Sequence, residues 1–180
     1  MKIDVIERAL PVIEAERFVL RPLRASDAGP IQLHASDRRV ADMSTTIPHP
    51  YPPGAAQAFV ERTLSDAENR AVWALDASAH GNSELLGIVS LVKLDREQAE
   101  IKYWVVPALW NAGFASEAVN AVVSFNPLKL RTLFATVFQD NPGSARVLTN
   151  AGFEYVGDAE AYSVARGATV PTWTYIRQLG

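Results

Sequence analysis

VVPALWNAGFASEAV, running from Val105 to Val119, joins the end of an apolar run to the start of a helical pattern. The run before it, AEIKYWVV (Ala99 to Val106), reads as a strand that Pro107 stops, and a helix opens near Gly113 after a short turn. The first-turn N–H groups of such a helix have no partner inside it. Amides near Ala112, Gly113, Phe114 and Ala115 can therefore point at an anion, and Gly113 lets the backbone come close to it. A diphosphate held this way needs little help from Lys or Arg, and the segment contains neither. No G-x-G-x-x-G and no G-K-[ST] is present, so the turn matches neither a dinucleotide fingerprint nor a P-loop. Taken alone, a glycine between strand and helix is also what a plain tight turn requires.

Upstream, RFVLRPL (Arg17 to Leu23) alternates, with Phe18 and Leu20 on one face and Arg17, Val19 and Arg21 on the other, as in a half-buried strand. Ser26 and Asp27 are N-cap residues for a short helix. IPHPYPPG (Ile47 to Gly54) is predicted to be a stiffened loop, because each proline fixes φ and removes a donor. From Ala55 to Leu64, Ala55, Ala58, Phe59 and Arg62 recur at helical spacing. AVWALD (Ala71 to Asp76) and LLGIVSLVKLD (Leu85 to Asp95), joined through HGNS at His80 to Ser83, read as a hairpin. The helix that opens at Gly113 is predicted to carry Phe114, Ala118, Val122 and Phe125 on one face, with Val119 and Val123 on its flank. LRTLFATVF (Leu130 to Phe138) is another strand, followed by a helix from Pro142 to Ala151 and strands around Phe153 to Val156 and Val170 to Ile176. Hairpins and helix crossovers interleave, so the fold class is α/β with a mixed sheet.

Composition limits the partners. The chain has 180 residues, 48% of them hydrophobic, which suits one core, and residues 1–180 are read as one domain with 1–14 as an N-terminal extension. With 17 Lys+Arg against 20 Asp+Glu, the charge gives no drive toward nucleic acid or an anionic membrane. The start of the chain carries Lys2, Asp4, Glu7 and Arg8, and its longest apolar run, ALPVI, is too short for a signal core. A cytoplasmic protein is expected. Zero cysteines exclude a covalent acyl-cysteine route, and His34, His49 and His80 lack metal-ligand spacing, so no metal is expected.

A second segment, NPGSARVLTNAGFEYVG (Asn141 to Gly157), has Asn141 as N-cap, Pro142 at the first helical position and Gly152 as a C-terminal stop. Together the two segments resemble the GNAT superfamily of acyl-CoA-dependent N-acetyltransferases, in its ribosomal-protein alanine N-acetyltransferase (RimJ/RimL-type) branch. The superfamily's cofactor motif, [Q/R]-x-x-G-x-[G/A], falls on Trp110 to Ala115, and the branch form W-x-x-G-[YF]-A-[ST]-E-A is matched from Trp110 through Ala118. The branch's N-x-x-S-x-R-V-L-x-x-x-G-F-x-x-x-G falls on Asn141, Ser144, Arg146, Val147, Leu148, Gly152, Phe153 and Gly157. The resemblance extends over residues 14–178. It departs at Ala112, where Lys or Arg is common, at Asn111 and Lys102, where Gly is frequent, and at Leu148, where many members carry a tyrosine acid.

The resemblance implies a mixed, mostly antiparallel sheet flanked by helices, with central strands that diverge around acetyl-CoA as co-substrate. It implies direct attack of an amine on the thioester in a ternary complex, the acceptor being a small-molecule amine or a protein N-terminus; a homodimer is compatible with it. Cofactor contacts are expected from Trp104, Val105, Val106, Asn111, Ala112, Gly113, Phe114, Ala115, Ser116, Asn141, Ser144 and Arg146. Glu100, in the strand entering the cofactor loop, is the base candidate and Ser144 the donor to the coenzyme A sulfur. His49, Tyr51, Trp73 and Tyr103 are expected to wall the amine pocket. Two other readings stay open: a catalytically silent acyl-CoA-binding module of the same fold, and a different α/β enzyme with a phosphorylated ligand.

Overall fold

Strands with buried residues on both faces run through the middle of a single sheet. The computed structural model describes residues 10–180, so the charged start of the chain lies outside the described residues. The strands are β1 (Ile13–Glu14), β2 (Val19–Pro22), β3 (Arg70–Asp76), β4 (Gly87–Leu94), β5 (Gln98–Val105), β6 (Thr132–Phe138), β7 (Glu154–Ser163) and β8 (Ala168–Gln178). The helices are α1 (Ala28–Ala35), α2 (Arg38–Asp42), α3 (Ala55–Ser65), α4 (Phe114–Phe125) and α5 (Pro142–Asn150). The sheet has eight strands in the order β1-β2-β3-β4-β5-β6-β8-β7. Only β5 and β6 run parallel; every other neighbouring pair is antiparallel.

Two hydrophobic clusters lie on opposite faces of this sheet. On one, Val72, Ala74 and Ile88 pack with Ile31 of α1 and Ala56 and Val60 of α3. On the other, Trp73, Leu75, Val89, Leu91, Ala99 and Ile101 pack with Ala118, Val119 and Val122 of α4 and with Leu148 of α5. Period-2 alternation along β3, β4 and β5 accounts for the division.

Several sequence expectations need correction. The extension read over 1–14 is only partly outside the fold, since Ile13–Glu14 pairs with β2 and the Pro11 carbonyl accepts the Trp73 indole N–H at 3.0 Å. On α3 the core-facing residues are Ala56, Val60 and Thr63. The face predicted there, Ala55, Ala58, Phe59 and Arg62, instead lines an open cleft. On α4 the buried stripe is Ala118, Val119 and Val122, while Phe125 is 54% exposed, because the helix ends there with Asn126 at φ 44° and turns away. Asp27 is not a simple helix cap: it is fully buried, accepts the Arg24 N–H at 2.9 Å and receives Arg21 at 2.8 Å.

Arg21 also bonds Asp76 at 2.7 Å, so a buried guanidinium holds two carboxylates and ties β2 to β3. Burial opposes ionisation of Asp76, yet the Ser78 hydroxyl and amide and the Arg21 guanidinium together hold its carboxyl below the usual range. A carboxyl whose folded value is depressed stabilises the fold above its unfolded value, near ~3.9, and loses that contribution as pH falls through the folded value. Stability is therefore expected to drop steeply below about pH 4. In Asp76→Asn the curve should start lower and flatten there; an acid limb as steep as the parent's would place the titration elsewhere.

Candidate functional site

The β5–β6 ladder pairs only Gln98, Ala99 and Glu100 with Thr132, Leu133 and Phe134. Beyond that point β5 runs on to Val105 and β6 to Phe138 without pairing, and the two splay apart. Unpaired edges inside a sheet are costly unless something satisfies them. The gap opens into a cleft of about 1430 Å³.

Strand register decides which backbone groups face this gap. Val106 donates its N–H to the Leu86 carbonyl on the β4 side, so in the antiparallel β4–β5 ladder the even-numbered residues of β5 turn their amides to β4. Tyr103 and Val105 therefore direct their N–H groups into the gap. This corrects the expectation for Val106, whose amide is already committed. The Val105 carbonyl is also taken, by the Trp110 indole N–H at 2.7 Å, which anchors the following loop to the end of β5. Gly87 opposite Val105 is required for this approach: a Cβ there would lie 2.3 Å from the Trp104 carbonyl oxygen.

Alternation also separates two neighbours. Trp104 packs on the α1/α3 face with Glu100 and Lys102, whereas Tyr103 reaches the α4/α5 face. There the Tyr103 hydroxyl lies 2.7 Å from Ser144 Oγ and donates to the Ser144 carbonyl at 3.2 Å. The two aromatic residues thus exchange the sides expected of them. Burial holds the Tyr103 phenol well above its usual range, although its bond with Ser144 opposes the shift. Ser144 sits in the first turn of α5, where its N–H is accepted by the Asn141 side chain at 3.2 Å.

At the start of α4, Gly113 has φ 83° and is followed by helical Phe114, Ala115 and Ser116, all lining the cleft. The free amides run from Gly113 to Ser116 rather than from Ala112, because the Ala112 N–H is given to the Leu109 carbonyl. Asn111 lies at φ 61°, a left-handed conformation that Asn tolerates better than most residues. Sequence reading missed Arg17. It bonds Glu117 at 2.9 Å, donates to the Ala112 carbonyl at 2.9 Å and stacks 3.9 Å from the Phe114 ring centroid, bracing the loop from the turn between β1 and β2. Arg146 of α5 also lines the cleft.

On the opposite face of the sheet Glu100, Lys102, Trp104, Tyr51, Phe59 and Arg62 line the cleft. Burial raises the Tyr51 phenol above its usual range and the neighbouring Arg62 opposes this. Trp73 does not belong to this wall: it is fully buried among α4-side core residues, its odd position in β3 pointing it away. His49 likewise does not line the cleft; its Nδ1 is buried without a hydrogen-bond partner. Ala159, Glu160 and Ala161 of β7 and Thr172 and Thr174 of β8 also line the cleft, and the turn that joins these strands is tied down by Arg166. Arg166 donates to the Asp42 carbonyl at 2.7 Å and pairs with Asp140. No described helix is long and apolar enough to cross a membrane.

A parallel pair that splays beside an amide-lined helix start has room and free amides for an extended, anionic ligand lying between strands. Residues 17–154 match the family model described as the acetyltransferase (GNAT) domain. The chain is 29% identical to an uncharacterized N-acetyltransferase, YoaA of Bacillus subtilis, over 92% of this chain and 95% of that one. Among solved structures it resembles ribosomal-protein-S5-alanine acetyltransferase from Vibrio fischeri, with a TM-score of 0.79 at 20% identity, covering 94% of this chain and 97% of that one. It also resembles spermidine N-acetyltransferase from Vibrio cholerae in complex with CoA and spermine, with a TM-score of 0.77 at 18% identity, covering 91% and 96%. The chain belongs to the GNAT acetyltransferase family, and it is an acyl-CoA N-acetyltransferase.

Proposed function

We propose that this enzyme transfers the acetyl group of acetyl-CoA directly to a primary amine that meets it in the cleft between β5 and β6. The observation that carries the reading is the splayed strand pair, which leaves the Tyr103 and Val105 amides unpaired beside the free amides of Gly113 to Ser116. An extended arm can satisfy the strand edge while a diphosphate takes the helix start, so the residues fit the cofactor. Arg146, which lines the same cleft, supplies a cation. When bound, acetyl-CoA supplies the acyl thioester.

The acceptor approaches from the opposite face of the sheet, where Glu100 stands. Glu100 takes the proton of the amine, directly or through a water, as the N–C bond forms. The Val105 or Tyr103 amide donates to the carbonyl oxygen as negative charge grows on it. As the C–S bond breaks, the Ser144 hydroxyl gives its proton to the sulfur. Tyr103, kept protonated by burial and donating to the Ser144 carbonyl, holds Ser144 Oγ in place at 2.7 Å for that transfer. Exchange with solvent resets Glu100 and Ser144.

A silent acyl-CoA-binding module would share the cradle but not the chemistry. Free thiol should appear from acetyl-CoA only when an amine is added, and Glu100→Gln should slow its release most for strongly basic acceptors. An α-amine near pKa ~8 is already partly neutral at pH 7 and asks less of a base than a lysine near ~10.4. Thiol release that ignores the amine would remove the transferase reading.

A further inference from the structure

The acceptor side of the cleft holds two cations that no ion pair engages among the described residues. Arg62 of α3, Arg70 of β3 and Lys102 of β5 all line it. Arg70 has a partner, Asp66 at 3.5 Å, but among the described residues neither Arg62 nor Lys102 forms an ion pair. The acids that line the cleft are Glu100, assigned above to the amine proton, and Glu160 of β7. Register places these cations around Glu100. Arg70 faces Val92, which faces Glu100, so the three share one row across β3, β4 and β5. Lys102 stands two residues beyond Glu100 on the same face of β5. With strands ~4.8 Å apart and a rise of ~3.3 Å per residue, the cationic positions fall roughly 7 to 10 Å from Glu100 along the backbone, within reach of flexible side chains. Arg62 stands above them from α3, beside Tyr51.

These cations are separate from the cofactor cradle. The α4 amides and Arg146 serve the cradle, while Arg62 and Lys102 belong to the α1/α3 side of the sheet. A polyamine brought to Glu100 would set its remaining ammonium groups against Arg62 and Lys102, and like charges at such range repel. An acceptor with a carboxylate near its amine would pair with them instead.

Resting on the acetyltransferase reading, we propose that the acceptor is an α-amine with a carboxylate a few bonds away, received by Arg62 and Lys102 while the amine meets Glu100. Free glutamate and a peptide with an acidic residue at its N-terminus share this chemistry. The test measures kcat/KM with acetyl-CoA for glutamate, a glutamyl dipeptide amide, an alanyl dipeptide amide and spermidine. The expected result is at least a tenfold preference for one of the acidic acceptors over both others, falling as salt is raised. Which acidic acceptor wins distinguishes the free amino acid from the peptide. Arg62→Glu should lower the ratio of acidic to alanyl turnover at least tenfold and leave the acetyl-CoA dissociation constant in place.

Spermidine or the alanyl amide turned over best would overturn the proposal while leaving the transferase reading intact. Weakened acetyl-CoA binding in Arg62→Glu would also overturn it, by assigning that cation to the cofactor. Absence of turnover with every amine would overturn it together with the reading on which it rests.

Discussion

Ser144→Ala is expected to lose about 100-fold or more in kcat, the range typical of a removed general acid, while keeping its affinity for acetyl-CoA. The serine is held for this task from two sides. Its amide is fixed by the Asn141 side chain at 3.2 Å, and its hydroxyl lies 2.7 Å from the Tyr103 hydroxyl. Leu148, one turn further along α5, is fully buried and has no proton to give. Removing the Ser144 hydroxyl leaves the buried Tyr103 phenol without that partner but opens no large cavity, so the fold should persist. Tyr103→Phe separates chemistry from packing: it keeps the ring, and kcat should fall by less than in Ser144→Ala. If Ser144→Ala stays within about threefold of the parent, far below what a general acid contributes, the serine serves only its helix.

Gly113→Val should abolish acetyl-CoA binding in a folded protein. Gly113 sits at φ 83°, where a β-branched side chain is strongly disfavoured. A Cβ there would stand 3.3 Å from the Arg17 guanidinium and would project where a diphosphate must approach the Gly113 to Ser116 amides. Two effects therefore act together: the turn distorts, and the amides lose their access. Calorimetry of acetyl-CoA binding, with circular dichroism to establish folding, reads the outcome. Affinity equal to the parent's would detach the cofactor from this turn.

The turn at Gly113 and the capped helix carrying Ser144 were legible because each lies within one contiguous stretch. Pro107, Gly113 and the helical pattern after it are neighbours in sequence, and the Asn141 cap and Ser144 are three residues apart, so local rules suffice. The misassigned residues depended on which face meets which layer. Alternation separated Tyr103 from Trp104, but only the packing of α4 and α5 shows that the odd face of β5 meets Ser144. The same holds for Trp73, an odd position of β3 committed to the α4-side core. Val106 and Ala112 failed for another reason: their amides are consumed by Leu86 and Leu109, a hydrogen-bond count that residue type does not encode. Arg17 reaches Glu117 across 100 residues, beyond any local pattern. On α3, apolar spacing correctly located a coherent face, but Arg62 within it was the sign that this face meets a cleft rather than the core. Two short elements, β1 and the five-residue α2, carry too few turns of any period to register.

The central claim is that the cleft passes an acetyl group straight from the thioester to an amine. Acetyl-CoA labelled in its acetyl carbon, incubated with the enzyme and an α-amine, tests it most directly through the fate of the label. The account predicts label in the amine, in amounts equal to the thiol released, with none retained on the protein when the amine is withheld. Thiol released without labelled amine, or label bound covalently to the protein before the amine is added, would contradict it.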